Sequence, residues 1–140
     1  MKLNKSSIMV HFVDSSIFVD RKFSFSESLI LYLKSLQLTY KNIASLLNRN
    51  ERTIWTIYSR AMKKASLPSK KKRIKSTLLI PISIFEDRSL SIMEILVEYM
   101  KEKRKLRYHE IASLLNRNDR TIWTIYQRTI KKRKERKENN

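Results

Sequence analysis

Two sets of side chains have the types and spacing of a surface built to hold a polyanion. Wound at about 100° per residue, residues 51–64 bring Arg52, Thr53, Thr56, Arg60 and Lys63 to one side. Further along, Arg120, Thr121, Thr124, Arg128 and Lys131 fall together in the same way. The opposite sides are apolar: Ile54, Ile57, Tyr58 and Ala61, with Met62 at the edge, and then Ile122, Ile125, Tyr126 and Ile130. One side can pack, while the other offers guanidinium, hydroxyl and ammonium groups without a carboxylate. That is the chemistry of a helix in the major groove of double-stranded DNA. Arg reaches guanine N7 and O6, Thr reaches phosphate or the thymine methyl, and Lys holds phosphate.

Other chemistries find little support. The chain has no glycine, which removes phosphate-cradling loops and dinucleotide fingerprints. His11 and His109 are far apart in sequence and make no metal set. Glu94, Glu98 and Glu102 recur at one-turn intervals, the spacing of a solvated helix face paired with nearby Lys and Arg. No catalytic site, metal, cofactor or small-molecule ligand is expected.

The elements that must position the two basic faces are themselves repeated. Residues 40–64 and 108–132 lie 68 apart, and 19 of 25 positions are identical. Each copy begins with a short apolar-periodic segment: Ile43, Ala44, Leu46 and Leu47, or Ile111, Ala112, Leu114 and Leu115. A polar break follows, Asn48-Arg49-Asn50 or Asn116-Arg117-Asn118, and then the longer segment that carries the basic face. Two helices joined by about three residues make a helix-turn-helix. With no glycine available, Asn48 and Asn116 are placed to take the left-handed conformation that ends the first helix. Asn50 and Asn118 are placed to cap the second, ahead of Glu51 and Asp119. Arg49, Asn50, Arg117 and Asn118 join the candidate DNA contacts. Trp55 and Trp123 lie at the border of the packed side. They are expected to bury partly against a preceding helix or, alternatively, to meet the sugar-phosphate backbone or the other half. The tyrosine pairs Tyr40/Tyr108 and Tyr58/Tyr126 are expected in the core.

The repeat extends beyond this motif. IMVHFV at 8–13 is β-branched and aromatic and reads as a strand, paralleled by TLLIPISIF at 77–85, where Pro81 marks an edge or an early end. Ser24 with Glu27, and Ser91 with Glu94, make capping boxes for a support helix in each half. Phe25, Leu29, Tyr32, Leu33 and Leu36 form the first stripe, and Ile92, Leu96, Tyr99 and Met100 the second. One extra residue after the second support helix takes the offset from 67 to 68. The expected fold is mainly α: two tandem three-helix helix-turn-helix units, each preceded by a short strand. The first unit spans 1–64, a basic linker 65–76, the second unit 77–133 and a charged tail 134–140, which frays, continues the last helix or lies along phosphates. In the linker, Lys70, Lys71, Lys72 and Arg73 read equally as a solvated run or as a phosphate or minor-groove arm. Each half, about 60 residues, is near the lower limit for an independent core. The strands are expected to pair and lock the halves together, the alternative being two beads on a flexible linker.

Charge points the same way. The chain carries 31 basic and 13 acidic residues, a net +18, which implies a polyanionic partner. There is no cysteine, so no disulfide framework or thiolate metal site. The start, MKLNKSSIMVHFV, is basic, but its apolar run is short and broken by His11, so no signal peptide is expected. No run approaches the roughly 20 apolar residues of a membrane span, and a cytoplasmic, nucleoid location is expected.

At LLNRNERTIWTIYSR and LLNRNDRTIWTIYQR the chain resembles the sigma-factor region 4-like helix-turn-helix family, whose pattern is roughly E-I-A-x-L-L-x-x-S-x-x-T-V-x-x-x-x-x-R. Glu110, Ile111, Ala112, Leu114, Leu115, Thr121, Ile122 and Arg128 match it. The first copy departs at Asn42, and both depart at the turn and at Trp55 and Trp123. The resemblance covers about 25 residues per copy and implies DNA binding through the second helix. No segment resembles a polymerase-core-binding region. The expected function is a double-stranded DNA-binding transcriptional regulator reading two similar half-sites, as a monomeric pseudo-dimer or a homodimer. The half-sites would be inverted if the halves are related by a two-fold axis, and direct if by translation. The competing expectation is an architectural, chromatin-like protein that coats or bridges DNA with little sequence preference.

Overall fold

Short-range hydrogen bonds decide where each helix starts. In the computed structural model, which describes residues 10–139, Ser24 and Ser91 each close a capping box. Their side chains accept from the N–H of Glu27 and Glu94, whose carboxylates accept from the serine N–H at 2.8 and 2.9 Å. The support helices follow, α1 at Phe25–Ser35 and α4 at Ile92–Glu98. Then come α2 at Tyr40–Leu47 with α3 at Glu51–Lys64, and α5 at Tyr108–Leu115 with α6 at Asp119–Glu138. Asn48 and Asn116 end α2 and α5 in the left-handed region, at φ 51° and 55°. Without glycine, asparagine is the residue that tolerates this conformation best.

The same glutamates anchor the long helices. Lys64 donates to Glu27 and Lys132 to Glu94, each at 2.8 Å. Glu94 is 1% exposed, so it is not part of a solvated acidic face; only Glu98 and Glu102 are outside the core. Burial alone would raise the Glu94 carboxyl, but Lys132 and the Ser91 contacts outweigh it and hold the pKa below its ordinary value. Glu27 is held down in the same way by Lys64 and Ser24.

The strands are shorter than the sequence pattern suggests. β1 is Phe12–Asp14 and β2 is Leu79–Pro81, the described residues' one sheet, two-stranded and antiparallel. Positions 8 and 9 of the expected first strand lie outside the described residues. Beyond each strand the chain tightens into a 3₁₀ turn, Ser15–Phe18 and Ile82–Glu86. The Asp14 carboxylate caps the first, accepting from Ser16 N–H at 2.8 Å, and Pro81, lacking a donor, opens the second.

The register of this pairing fixes the relation between the halves. Val13 faces Ile80, its own counterpart at offset 67, and Phe12 and Asp14 face Pro81 and Leu79. A strand pair in which one residue meets its own equivalent has a two-fold axis through that point. The flanking bonds obey it: Ser15 N–H donates to Leu78 C=O at 2.8 Å and Ile82 N–H to His11 C=O at 2.9 Å. Phe18 and Phe85, also equivalents, meet with ring centroids 6.5 Å apart. One apolar cluster contains Phe18, Leu29, Leu33 and Ile54 together with Phe85, Leu96, Met100 and Ile122.

The extra residue of the second half is absorbed inside its support helix, not after it. Residues Tyr99–Lys103 form a π-helical turn in which Arg104 N–H donates to Tyr99 C=O at 3.2 Å, five residues back. Both support helices then close on equivalent left-handed residues, Gln37 and Lys105.

Two outcomes follow from this architecture. In native-state hydrogen exchange, the Ser15 and Ile82 amides exchange only through global opening; exchange at the rate of an unstructured chain would show that the strands do not pair. Glu27 and Glu94, with lowered folded pKa values, stabilise the fold above their unfolded pKa of about 4.3, and this stability is lost as pH falls through the folded values. Lys132→Met leaves Glu94 buried without its cation. It should cost about 1.5–3 kcal/mol at neutral pH and move the acid loss to higher pH, read by urea unfolding across pH.

Candidate nucleic-acid interface

Both long helices are amphipathic in the structure, and packing decides which side faces out. α3 buries Ile54 and Ala61, and α6 buries Ile122, Ile125 and Thr129. Thr129 corrects the expected packed position: it is fully buried, with its hydroxyl donating to Ile125 C=O at 2.8 Å. Ile130 beside it is 42% exposed, as Met62 is 50% exposed in the first half. The tyrosine pairs pack edge-on, Tyr40 with Tyr58 at 5.9 Å and Tyr108 with Tyr126 at 6.1 Å. Lys34 and Lys101 sit over Tyr40 and Tyr108, each 4.4 Å from the ring centroid.

The outward sides carry the expected groups. Arg52, Thr53, Thr56, Arg60 and Lys63 are exposed on α3, and Arg120, Thr121, Thr124, Arg128 and Lys131 on α6. Asn50 and Asn118 stand exposed at the helix starts with their side-chain oxygens already engaged. They accept from Arg52 N–H at 2.8 Å and Thr121 N–H at 2.9 Å. Trp55 and Trp123 are about half-exposed, at 55% and 49%, and flank the basic stripe.

Two positions absent from the expected set lie at the middle of that stripe. Arg52, Thr56, Ser59 and Lys63 stand at i, i+4, i+7 and i+11, a single line along α3. Arg120, Thr124, Gln127 and Lys131 repeat it on α6, with Gln127 exposed and Ser59 half-buried. The helical wheel is enough to find them; they escape notice because the two copies differ there.

Arg49 and Arg117 are placed elsewhere. The Arg49 guanidinium donates to the carbonyls of Leu47, Asp87 and Leu90 at 3.1, 3.1 and 3.2 Å. Arg117 donates to Leu115, Phe18 and Phe23 carbonyls at 2.8, 3.2 and 3.1 Å, and lies over the Phe25 ring at 4.6 Å. Each arginine therefore crosses to the other half. The neighbouring asparagines do the same: Asn48 donates to Glu86 C=O at 3.0 Å, and Asn116 to Val19 C=O at 2.9 Å and Lys70 C=O at 3.2 Å. Burial, then the nearby Arg21, pull the Arg117 pKa down to about 10 against Asp20, so it stays charged at neutral pH. Arg49 is lowered by burial and Arg88 against Asp87.

The linker is tied down where it begins. Asp20 accepts from Lys70 N–H at 3.0 Å and from the Ser69 hydroxyl at 2.9 Å, and Lys22 donates to the Ala65 and Leu67 carbonyls. Lys70, Lys71, Lys72 and Arg73 all keep exposed side chains. Arg21, Lys22, Lys64 and Arg117 line a cleft of about 360 Å³ between α1 and α6, adding positive surface between the halves. The end of α6 behaves differently. Arg133 forks onto Glu98 at 2.8 and 2.9 Å and reaches Asp87 at 2.9 Å, which pushes its pKa up.

Among the described residues, no helix is long and apolar enough to cross a membrane. Among the same residues, no group of three or more His, Cys, Asp or Glu is placed to hold a metal ion. Compared with known proteins, the chain matches no family, no curated sequence and no solved structure.

The reciprocal arginines generate a sharp expectation. Arg117→Ala removes the donor from four carbonyls, those of Leu115, Asn116, Phe18 and Phe23, and should lower stability by about 2–4 kcal/mol, with Arg49→Ala acting in the same direction. Lysine should rescue neither, since one ammonium cannot span the same set of acceptors. Urea unfolding of the four variants measures this, and no loss on either alanine change would remove these residues from the framework.

Proposed function

We propose that the protein binds double-stranded DNA as the single-chain equivalent of a two-fold dimer and acts as a transcriptional regulator. In this reading α2 with α3, and α5 with α6, are two helix-turn-helix units, and α3 and α6 enter the major groove over two similar half-sites. The observation that carries it is the repetition of one exposed Arg-Thr-Arg-Lys face on two helices whose halves are related by the Val13–Ile80 axis. Two equivalent faces about such an axis match the symmetry of an inverted repeat. The net charge of +18 and the exposed Lys70–Arg73 run supply the phosphate contacts. The resemblance of both units to the sigma-factor region 4-like helix-turn-helix agrees with this use of the second helix.

Within this reading the residues divide by role. Arg52, Arg60, Arg120 and Arg128 read base edges, with Thr53, Thr56, Thr121 and Thr124 beside them. Lys63, Lys131 and Lys70–Arg73 hold phosphates. Asn50 and Asn118 present the N-termini of the reading helices, and Arg49 and Arg117 set the distance between them through the other half.

Selection from a randomised duplex pool at near-physiological salt tests the proposal. The expected result is an inverted repeat with half-site centres about 10 bp, or a multiple, apart. Arg60→Ala should relax the preference at one position and cost roughly 1–3 kcal/mol, while Lys71→Ala weakens all sequences alike and reduces the salt slope by about 1. Strong binding with no enriched motif would replace this reading with the architectural one, in which the protein coats or bridges DNA.

A further inference from the structure

The two candidate reading faces differ in side-chain type at one polar position. Arg52/Arg120, Thr53/Thr121, Trp55/Trp123, Thr56/Thr124, Arg60/Arg128 and Lys63/Lys131 are matched pairs. Glu51/Asp119 keeps its charge, Met62/Ile130 stays apolar and exposed at the edge, and Ala61/Thr129 is buried. Ser59/Gln127 is the exception, and it stands in the middle of the stripe between Thr56/Thr124 and Lys63/Lys131. Each is the ninth residue of its helix, counted from Glu51 or Asp119, so the two positions are equivalent along the helices and differ in the side chain.

We infer that Gln127 reads a base in the second half-site that Ser59 does not read in the first, so that the chain distinguishes the two ends of its site and binds in one orientation. This rests on the reading proposed above. A glutamine amide presents a donor and an acceptor together, the pair that matches N7 and N6 of adenine in the major groove. A serine hydroxyl is shorter and can donate or accept, so it bonds to either kind of base and selects weakly. Gln127 is exposed, whereas Ser59 is half-buried among its longer neighbours. The site is therefore an inverted repeat with one unequal position, an A·T pair being required on the Gln127 side only.

The longer α6 adds no competing source of asymmetry on this face. Past Lys131 the stripe continues through Lys134, Glu135 and Glu138, and carboxylates turn away from phosphate. Arg133 and Arg136 are directed at Asp87 and Glu98. The reading surface of α6 thus ends near Lys131, level with the end of α3.

The test uses the full chain, Gln127→Ser and Ser59→Gln in parallel selections from randomised duplexes. The wild type should yield half-sites that differ at one position, and Ser59→Gln should make both halves alike with A·T in each. Gln127→Ser should lose that preference and bind the unequal site roughly 5- to 140-fold more weakly. Orientation is read separately. The chain has no cysteine, so Asn139→Cys carrying an iron chelate marks the end of α6 alone. DNA cleavage near one end of the unequal site is expected, and equal cleavage at both ends would overturn the inference. Identical half-sites from the wild type, unchanged in Gln127→Ser, would overturn it while leaving the inverted-repeat reading standing. A pool with no half-sites would overturn both.

Discussion

The meeting of Val13 with Ile80 is the constraint from which the rest of the architecture follows. Antiparallel pairing alternates side chains and hydrogen bonds about a fixed point. Here that point falls between a residue and its own repeat, and several of the other contacts between the halves recur in reciprocal pairs. Asn48 on Glu86 and Asn116 on Val19 are one such pair. Three residues per strand could not hold a domain together unaided. The strands set the symmetry, and the buried rings of Phe18 and Phe85 with the crossing arginines supply the adhesion.

The Asn-Arg-Asn turn joins local conformation to that adhesion. Asn48 and Asn116 are needed where they are because a glycine-free chain must still leave its helix in the left-handed region. Their side chains then reach the opposite half, and the next arginine follows. Three consecutive residues thus stop one helix, clamp the other half and start the next helix. The exposed face of that next helix is held from its first turn.

What was legible in the sequence was local. The capping boxes at Ser24 and Ser91, the left-handed asparagines and the amphipathic long helices depend on residues within a turn or two of one another, and spacing reveals them. What was not legible depends on the other half. Arg49 and Arg117 have the sequence context of phosphate contacts, yet carbonyls from the opposite 3₁₀ segment and loop claim them. Glu94 has the spacing of a solvated face, yet it is buried beneath Lys132. In the apolar run at 77–85 Pro81 marked the edge or early end of the strand, but not the 3₁₀ segment after it, whose Phe85 enters the shared core. Thr129 hides better than Ile130 because its hydroxyl is satisfied within its own helix, so burial costs it little.

The covalent continuity of the two halves has a consequence of its own. A symmetric dimer built from separate subunits exists only above its dissociation constant and exchanges partners with its relatives. Here the connection through residues 65–78 makes assembly of the two-fold unit unimolecular, with the linker pinned at Asp20 as it leaves α3. Dilution cannot carry one half away from the other. The molecule has the symmetry of a pair and the connectivity of a single chain.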